Sequence, residues 1–266
     1  MHNQLAEPVE YQLVLNNEEI PLAPYLGKPI KLVYTGKIHC IHCGRLSKKS
    51  FNQGYCYPCF MKLAQCDTCI VKPELCHYAS GTCREPSWGE QHCMQPHFVY
   101  LANSSTLKVG ITRQGQLPTR WIDQGAVAAL PILKVQSRYL SGLMEVAFKD
   151  HVADKTNWQQ MLKGEAEPID LAAERDSLLP QVQDALRDLR HRFGDQAVEL
   201  LPQAEVVNIR YPVLAYPSKV KSLSFDKEPV VTGVLEGIKG QYLLLDTGVI
   251  NIRKFAGYEV EFSDLV

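Results

Sequence analysis

The sequence predicts an α+β chain in three parts: an N-terminal zinc-knuckle region, a central α/β core and a C-terminal small β-barrel or sandwich. Three observations lead there. All nine cysteines fall between Cys40 and Cys93, the stretch after Pro96 alternates short strands with helices, and the stretch after Gly194 is a run of short strands with glycine turns. Changes of composition set the boundaries: a β element over 1–36, a cysteine-rich zinc-binding region over 37–95, the core over 96–165, a helical segment over 166–194 and a small β domain over 195–266.

With 266 residues, 45% of them hydrophobic, the chain can bury a sizeable core. No run approaches the roughly 20 apolar residues a membrane span needs; the best, 127–135, is short and contains Pro131. Met1-His-Asn-Gln has neither the basic start nor the apolar run of a secretory signal. We therefore expect no membrane partner and a cytoplasmic location, where thiols stay reduced and paired cysteines favour metal over disulfide. A formal net charge of -1 gives no global attraction to nucleic acid, so any such binding must come from local patches.

Residues 9–15 and 29–35 are apolar and β-branched, punctuated by Asn16-Asn17 and Gly27-Lys28-Pro29, and read as strands leading into the first knuckle. Cys40-Ile-His-Cys43 and Cys56-Tyr-Pro-Cys59 are two C-x-x-C knuckles, a spacing that lets four thiolates converge on one tetrahedral zinc. Lys37, Arg45, Lys48, Lys49, Lys62, Lys72 and Arg84 are interleaved with Phe51, Tyr55, Tyr57 and Phe60, a mixture suited to phosphate contact and base stacking, and equally to a small aromatic core beside solvated lysines. Cys66-Asp-Thr-Cys69, with Cys76 and Cys83, completes a second candidate four-thiolate site for zinc or an iron-sulfur cluster. Its ligand set stays open, because Cys93, His77, His92 and His97 are also at hand.

In the core, 98–102 and 107–112 form a hairpin around Asn103-Ser104-Ser105, a helical turn begins after Pro118, 129–135 is a third strand, and 137–152 is a helix capped by Ser137. Glu145 sits in that helix among Leu143, Met144, Val146, Ala147 and Phe148, so its carboxylate serves as a metal ligand, as the partner of an arginine, or on the solvated face. Asn157 reads as a helix cap or a late polar residue near the site. Helices over 169–193 break at Pro180 and carry an apolar stripe of Leu178, Leu179, Val182, Leu186 and Leu189. Strands are expected over 206–214, 230–235, 241–245, 249–252 and 258–262, in a small barrel or sandwich shared with the N-terminal strands, with Lys219, Lys221, Lys239, Arg253 and Lys254 as the basic residues to follow. No Walker loop, Rossmann fingerprint, H-E-x-x-H or G-x-S-x-G is present.

Phe98-Val99-Tyr100, then Lys108-Val109-Gly110, Ile111-Thr112, Arg120 and Glu145 resemble the core of GIY-YIG nucleases, in the branch whose second motif begins with lysine. A cysteine block ahead of such a core also resembles a bacterial family known as domain of unknown function 2797. The nuclease resemblance implies that Tyr100 lies near the nucleophile, Arg120 contacts phosphate and Glu145 holds one Mg²⁺ or Mn²⁺, with Lys108 where the second tyrosine would stand and Phe98 where glycine would. It implies a zinc-containing endonuclease acting on DNA or RNA. The alternatives are a module that binds nucleic acid or protein without cutting, and a redox or iron-sulfur protein built on the second cysteine group.

Overall fold

The alternation of side chains along one strand divides the molecule into its two main cores. In the strand His97–Asn103, Val99 and Leu101 point into one apolar cluster while Tyr100 and Ala102 point into another. The computed structural model describes residues 1–15, 18–152, 157–164 and 166–265; the Asn16-Asn17 punctuation lies outside them. That strand runs antiparallel between Leu107–Arg113 and Ala128–Val135, and the short strands Val198–Leu200 and Val207–Asn208 both pair with Ala128–Val135.

On the first face lies the helix Arg138–Lys149, which buries Leu140, Met144 and Phe148. Its start is fixed by Ser137, whose hydroxyl accepts from the Leu140 amide at 3.4 Å. Helices Leu171–Leu178 and Gln183–Phe193 add Leu178, Leu186 and Leu189; the 3₁₀ turn Leu179–Val182 joins them where Pro180, lacking an amide hydrogen, interrupts the α ladder.

Against the second face packs a sheet that curls into a half-barrel, in the order Gly248–Asn251, Tyr242–Leu245, Val230–Lys239, Pro29–His39, Tyr258–Asp264. Pro29–His39 and the last strand of the chain therefore share one sheet, while His2–Gln4, Glu10–Leu15 and Glu18–Pro21 form a three-stranded sheet of their own. The N-terminal strand is longer than the sequence suggests, and its end at His39 delivers Cys40 to the first knuckle. Strand structure expected over 206–214 is confined to Val207–Asn208. Tyr211 there turns its hydroxyl onto the Ala126 carbonyl at 2.8 Å, and Pro212 has no amide to give to a ladder. Lys239, one of the basic residues singled out in the sequence, is buried, with its amine donating to the Gly164 carbonyl at 3.0 Å.

The cysteine-rich stretch is a separate lobe of short pieces: the helices Tyr57–Lys62 and Pro86–His92 and the 3₁₀ turns Ala64–Cys66, Thr68–Ile70, Pro73–Leu75 and Tyr78–Ser80. Among the described residues, none between Cys40 and Cys93 belongs to the apolar clusters of the molecule. The lobe docks on the helix Arg138–Lys149. An added Cβ at Gly142 would stand 2.6 Å from the Pro73 side chain and 2.7 Å from the Glu74 backbone amide, so only glycine allows this approach. Arg138 secures it from one side, donating to the Ile70 carbonyl at 2.5 Å. Gly142→Ala forces the lobe off the helix: we expect a loss of about 1–3 kcal/mol, the usual cost of overpacking, read as a lower urea midpoint, together with faster proteolysis between Leu63 and Cys93.

Candidate functional site

The strand ending at His39 and the helix beginning at Tyr57 bring four cysteines together. The Cys40 amide donates to the Arg45 carbonyl at 2.9 Å and the Gly44 amide to the Cys40 carbonyl at 2.8 Å, which closes the first knuckle. Gly44 holds a left-handed φ of +71°, at the turn position where glycine carries no Cβ penalty. Cys56 caps the helix Tyr57–Lys62, whose Pro58 occupies the first turn. All four sulfurs of Cys40, Cys43, Cys56 and Cys59 lie within 4.8 Å of one another. Cys43 and Cys56 are 3.8 Å apart, the edge expected when sulfurs sit about 2.3 Å from one tetrahedral ion. Burial pushes the Cys40 thiol up, but backbone amides of Cys56, Cys43 and His42 outweigh it and bring the thiol down to about 6. This four-cysteine cluster fits one structural zinc.

Phe51 packs edge-on against Tyr57 at 5.4 Å and stacks on Phe60 at 5.8 Å, so three of the interleaved aromatics form a small core of their own. Tyr55 alone of the four lines a cleft, described below.

A second group of side chains gathers in the core hairpin and the turn after it. Tyr100 and Gly110 are paired across the hairpin, and a Cβ at Gly110 would stand 2.6 Å from the Tyr100 hydroxyl, so the ring lies flat over the glycine. The Tyr100 hydroxyl and the Lys108 amine both donate to the Gln124 side-chain oxygen, each at 2.8 Å. Arg120 also hydrogen-bonds Tyr100. Tyr100 is 0% and Lys108 3% exposed. Burial raises the Tyr100 hydroxyl to about 12, only partly countered by the charge of Arg120. Burial, and then the positive charge of Arg120, lower the Lys108 amine to about 7.

Arg120 and the half-buried Glu145 open onto a cleft of ≈ 700 Å³ between the cysteine lobe and the core. One wall carries Tyr55, Asn52, Gln53 and Gln65 of the lobe; the other carries Thr112, Arg113, Arg120, Arg138 and Glu145, and Arg253 reaches in from the half-barrel. Four arginines thus line the cleft beside one carboxylate on a chain of net charge -1, although Arg253 also pairs with Asp123 at 3.5 Å and Arg138 is bonded to the Ile70 carbonyl. Tyr100, Lys108, Arg120 and Glu145, named from sequence, are neighbours in space, but the first two lie beneath the cleft and the last two line it. Sequence reasoning missed Gln124, Arg113 and Arg138, and named Arg253 only among the basic residues of the C-terminal stretch. Gln124 stands four residues after Arg120, so helical spacing was its available signal; nothing in the local pattern of Arg113 or Arg138 sets them apart from ordinary surface cations.

The second cysteine group divides. Cys66 is buried apart, its thiol near Asn52 and Cys40 and raised mainly by burial. Cys69, Cys76, Cys83 and Cys93 line a small cavity with Asp67, His77 and Trp88. His92 stacks on Trp88 at 4.2 Å and bonds the Trp88 carbonyl. His97 is buried with Nδ1 against the Gln95 carbonyl at 2.7 Å, and burial brings it down to about 4. Asn157 caps the helix Trp158–Met161, accepting from the Gln160 amide at 3.2 Å. Among the described residues, no helix is long and apolar enough to cross a membrane.

Residues 27–260 match a family model described as "Protein of unknown function (DUF2797)". The chain belongs to that family. No curated protein and no solved structure matches it. In this DUF2797 chain the matched stretch runs from the turn before the Pro29–His39 strand to Val260 in the last strand, and so takes in the cysteine lobe, the cleft and the half-barrel together.

The Lys108 amine gives the DUF2797 core a measurable signature. It falls from 10.5 to about 7 on folding, so between those values the unfolded chain binds a proton that the folded chain lacks. The contribution of Lys108 to stability therefore rises with pH across that window and is flat outside it. We expect wild type to gain stability relative to Lys108→Met between pH 7 and 10.5 in urea titrations; parallel curves would contradict the burial of an amine there.

Proposed function

We propose that the protein is a zinc-containing nucleic-acid-processing protein that takes a DNA or RNA strand into the cleft and cuts it with one Mg²⁺ or Mn²⁺, using a core of the GIY-YIG type. The observation that carries this reading is the meeting of Arg120 and Glu145 on one wall of a cleft that holds three further arginines. Planar guanidiniums match phosphate oxygens two at a time, and their arrival from three parts of the chain suits a strand passing between lobe and core. Glu145 is the one carboxylate among the described cleft residues. A single carboxylate suits Mg²⁺, which keeps most of its waters. When bound there, the ion supplies an activated water and offsets charge on the phosphate. Arg120 holds the phosphate, and Gln124, Tyr100 and Lys108 fix the base of the helical turn that carries it.

A second reading is binding without cutting. The burial of Tyr100 and Lys108 favours it, because neither the hydroxyl nor the amine meets the cleft. One assay separates the two: a mixed panel of labelled DNA and RNA incubated with zinc-loaded protein, with and without Mn²⁺. The nuclease reading predicts metal-dependent products that fall by about 100-fold or more in Glu145→Ala and in Arg120→Ala, as when one transition-state donor is removed. Cutting unchanged in both variants sinks the site. Salt-dependent retention of a strand without products establishes the binding reading.

A further inference from the structure

The first four-cysteine site leaves five cysteines, and the fold separates Cys66 from the other four. Cys69, Cys76, Cys83 and Cys93 come from two 3₁₀ turns, a loop and the end of the helix Pro86–His92, yet all four line one cavity of ≈ 20 Å³. A void of that size has room for a single small occupant. We infer that these four thiols hold a second, thiolate-ligated metal centre, distinct from that of Cys40, Cys43, Cys56 and Cys59.

Three observations support it. The lobe from Ala64 to Cys93 contributes nothing to the apolar clusters described, so its succession of 3₁₀ turns has no core to order it; a metal supplies folding energy where apolar burial does not. Soft thiolates select zinc or an iron-sulfur cluster over hard cations. A four-thiolate centre is anionic, and the buried guanidinium of Arg138 stands beside it: its backbone amide donates to the Cys93 carbonyl at 2.8 Å, while its Nε finds no partner among the described residues. These four sulfurs are not gathered within 4.8 Å of one another as those of the first site are, so they must close in to reach the edge of a tetrahedral zinc site.

A competing set is Asp67, Cys69 and His77, whose ligand atoms lie within 4.8 Å of one another. Asp67 receives Arg84 Nε at 2.6 Å, while His77, whose Nδ1 meets the Thr82 hydroxyl at 2.8 Å, keeps Nε2 3.5 Å from Asp67 and able to ligate, so the variants below separate the two sets. The centre also bears on the cleft, because Ile70, which follows Cys69, lines it and receives Arg138.

The test is metal and acid-labile sulfide analysis of the full chain purified without air, for wild type, Cys43→Ser, Cys83→Ser, Cys93→Ser, Cys66→Ser and His77→Ala. Wild type should hold two centres; Cys43→Ser should lose only the first and Cys83→Ser or Cys93→Ser only the second. Cys66→Ser and His77→Ala should keep both. Zinc at both sites, or zinc at the first with iron and sulfide at the second, supports the centre and names its metal. A single metal equivalent in wild type overturns it without recourse to any variant. Loss of the second metal in His77→Ala with retention in Cys93→Ser overturns the ligand set in favour of the competing one.

Discussion

The site depends on the docking of the cysteine lobe against the helix Arg138–Lys149. That helix is held on one side by the central sheet, through Leu140, Met144 and Phe148, and on the other by the Pro73–Leu75 turn lying over Gly142. A side chain at position 142 would separate lobe from core, and the cleft exists only between them. Glu145 follows one helical turn after Gly142, so the contact that admits the lobe also sets the depth of the carboxylate in the cleft.

The energetics of the two halves differ in kind. The central sheet and the half-barrel bury large apolar clusters on both faces of the strand His97–Asn103, where folding rests on area removed from water. Among the described residues the lobe has no share in those clusters, and its four-cysteine cluster offers metal ligation in their place. Such a division makes the cleft the least self-sufficient part of the molecule.

Much of this was legible in the sequence, and for identifiable reasons. The two C-x-x-C knuckles carry their geometry in their spacing. The hairpin, the Ser137 cap and the break at Pro180 follow from local rules of strand alternation, capping and proline sterics. What was illegible is long-range. That an N-terminal strand joins the C-terminal sheet was expected, but nothing in 29–35 announces its exact place between Val230–Lys239 and Tyr258–Asp264, and nothing near Cys66 says that it falls outside the cavity that Cys93 joins. Tyr100 and Lys108 were found by motif, but their depth follows from Gly110 and the half-barrel packing over them, which are tertiary facts. Lys239 shows the same limit, since a lysine in a strand pattern does not reveal which side of a curled sheet it faces.

Electrostatics concentrate where these parts meet. A chain with almost balanced charge places Arg113, Arg120, Arg138 and Arg253 around one cleft and leaves Glu145 as its carboxylate. The central claim is that this cleft is where a nucleic-acid strand lies. Hydrogen exchange on the zinc-loaded protein, with and without a saturating mixed-sequence oligonucleotide, tests it most directly. Protection should appear together in 41–55, 111–120 and 138–145, the two walls of the cleft. Protection confined to the half-barrel, or none while the oligonucleotide is bound, would contradict the account.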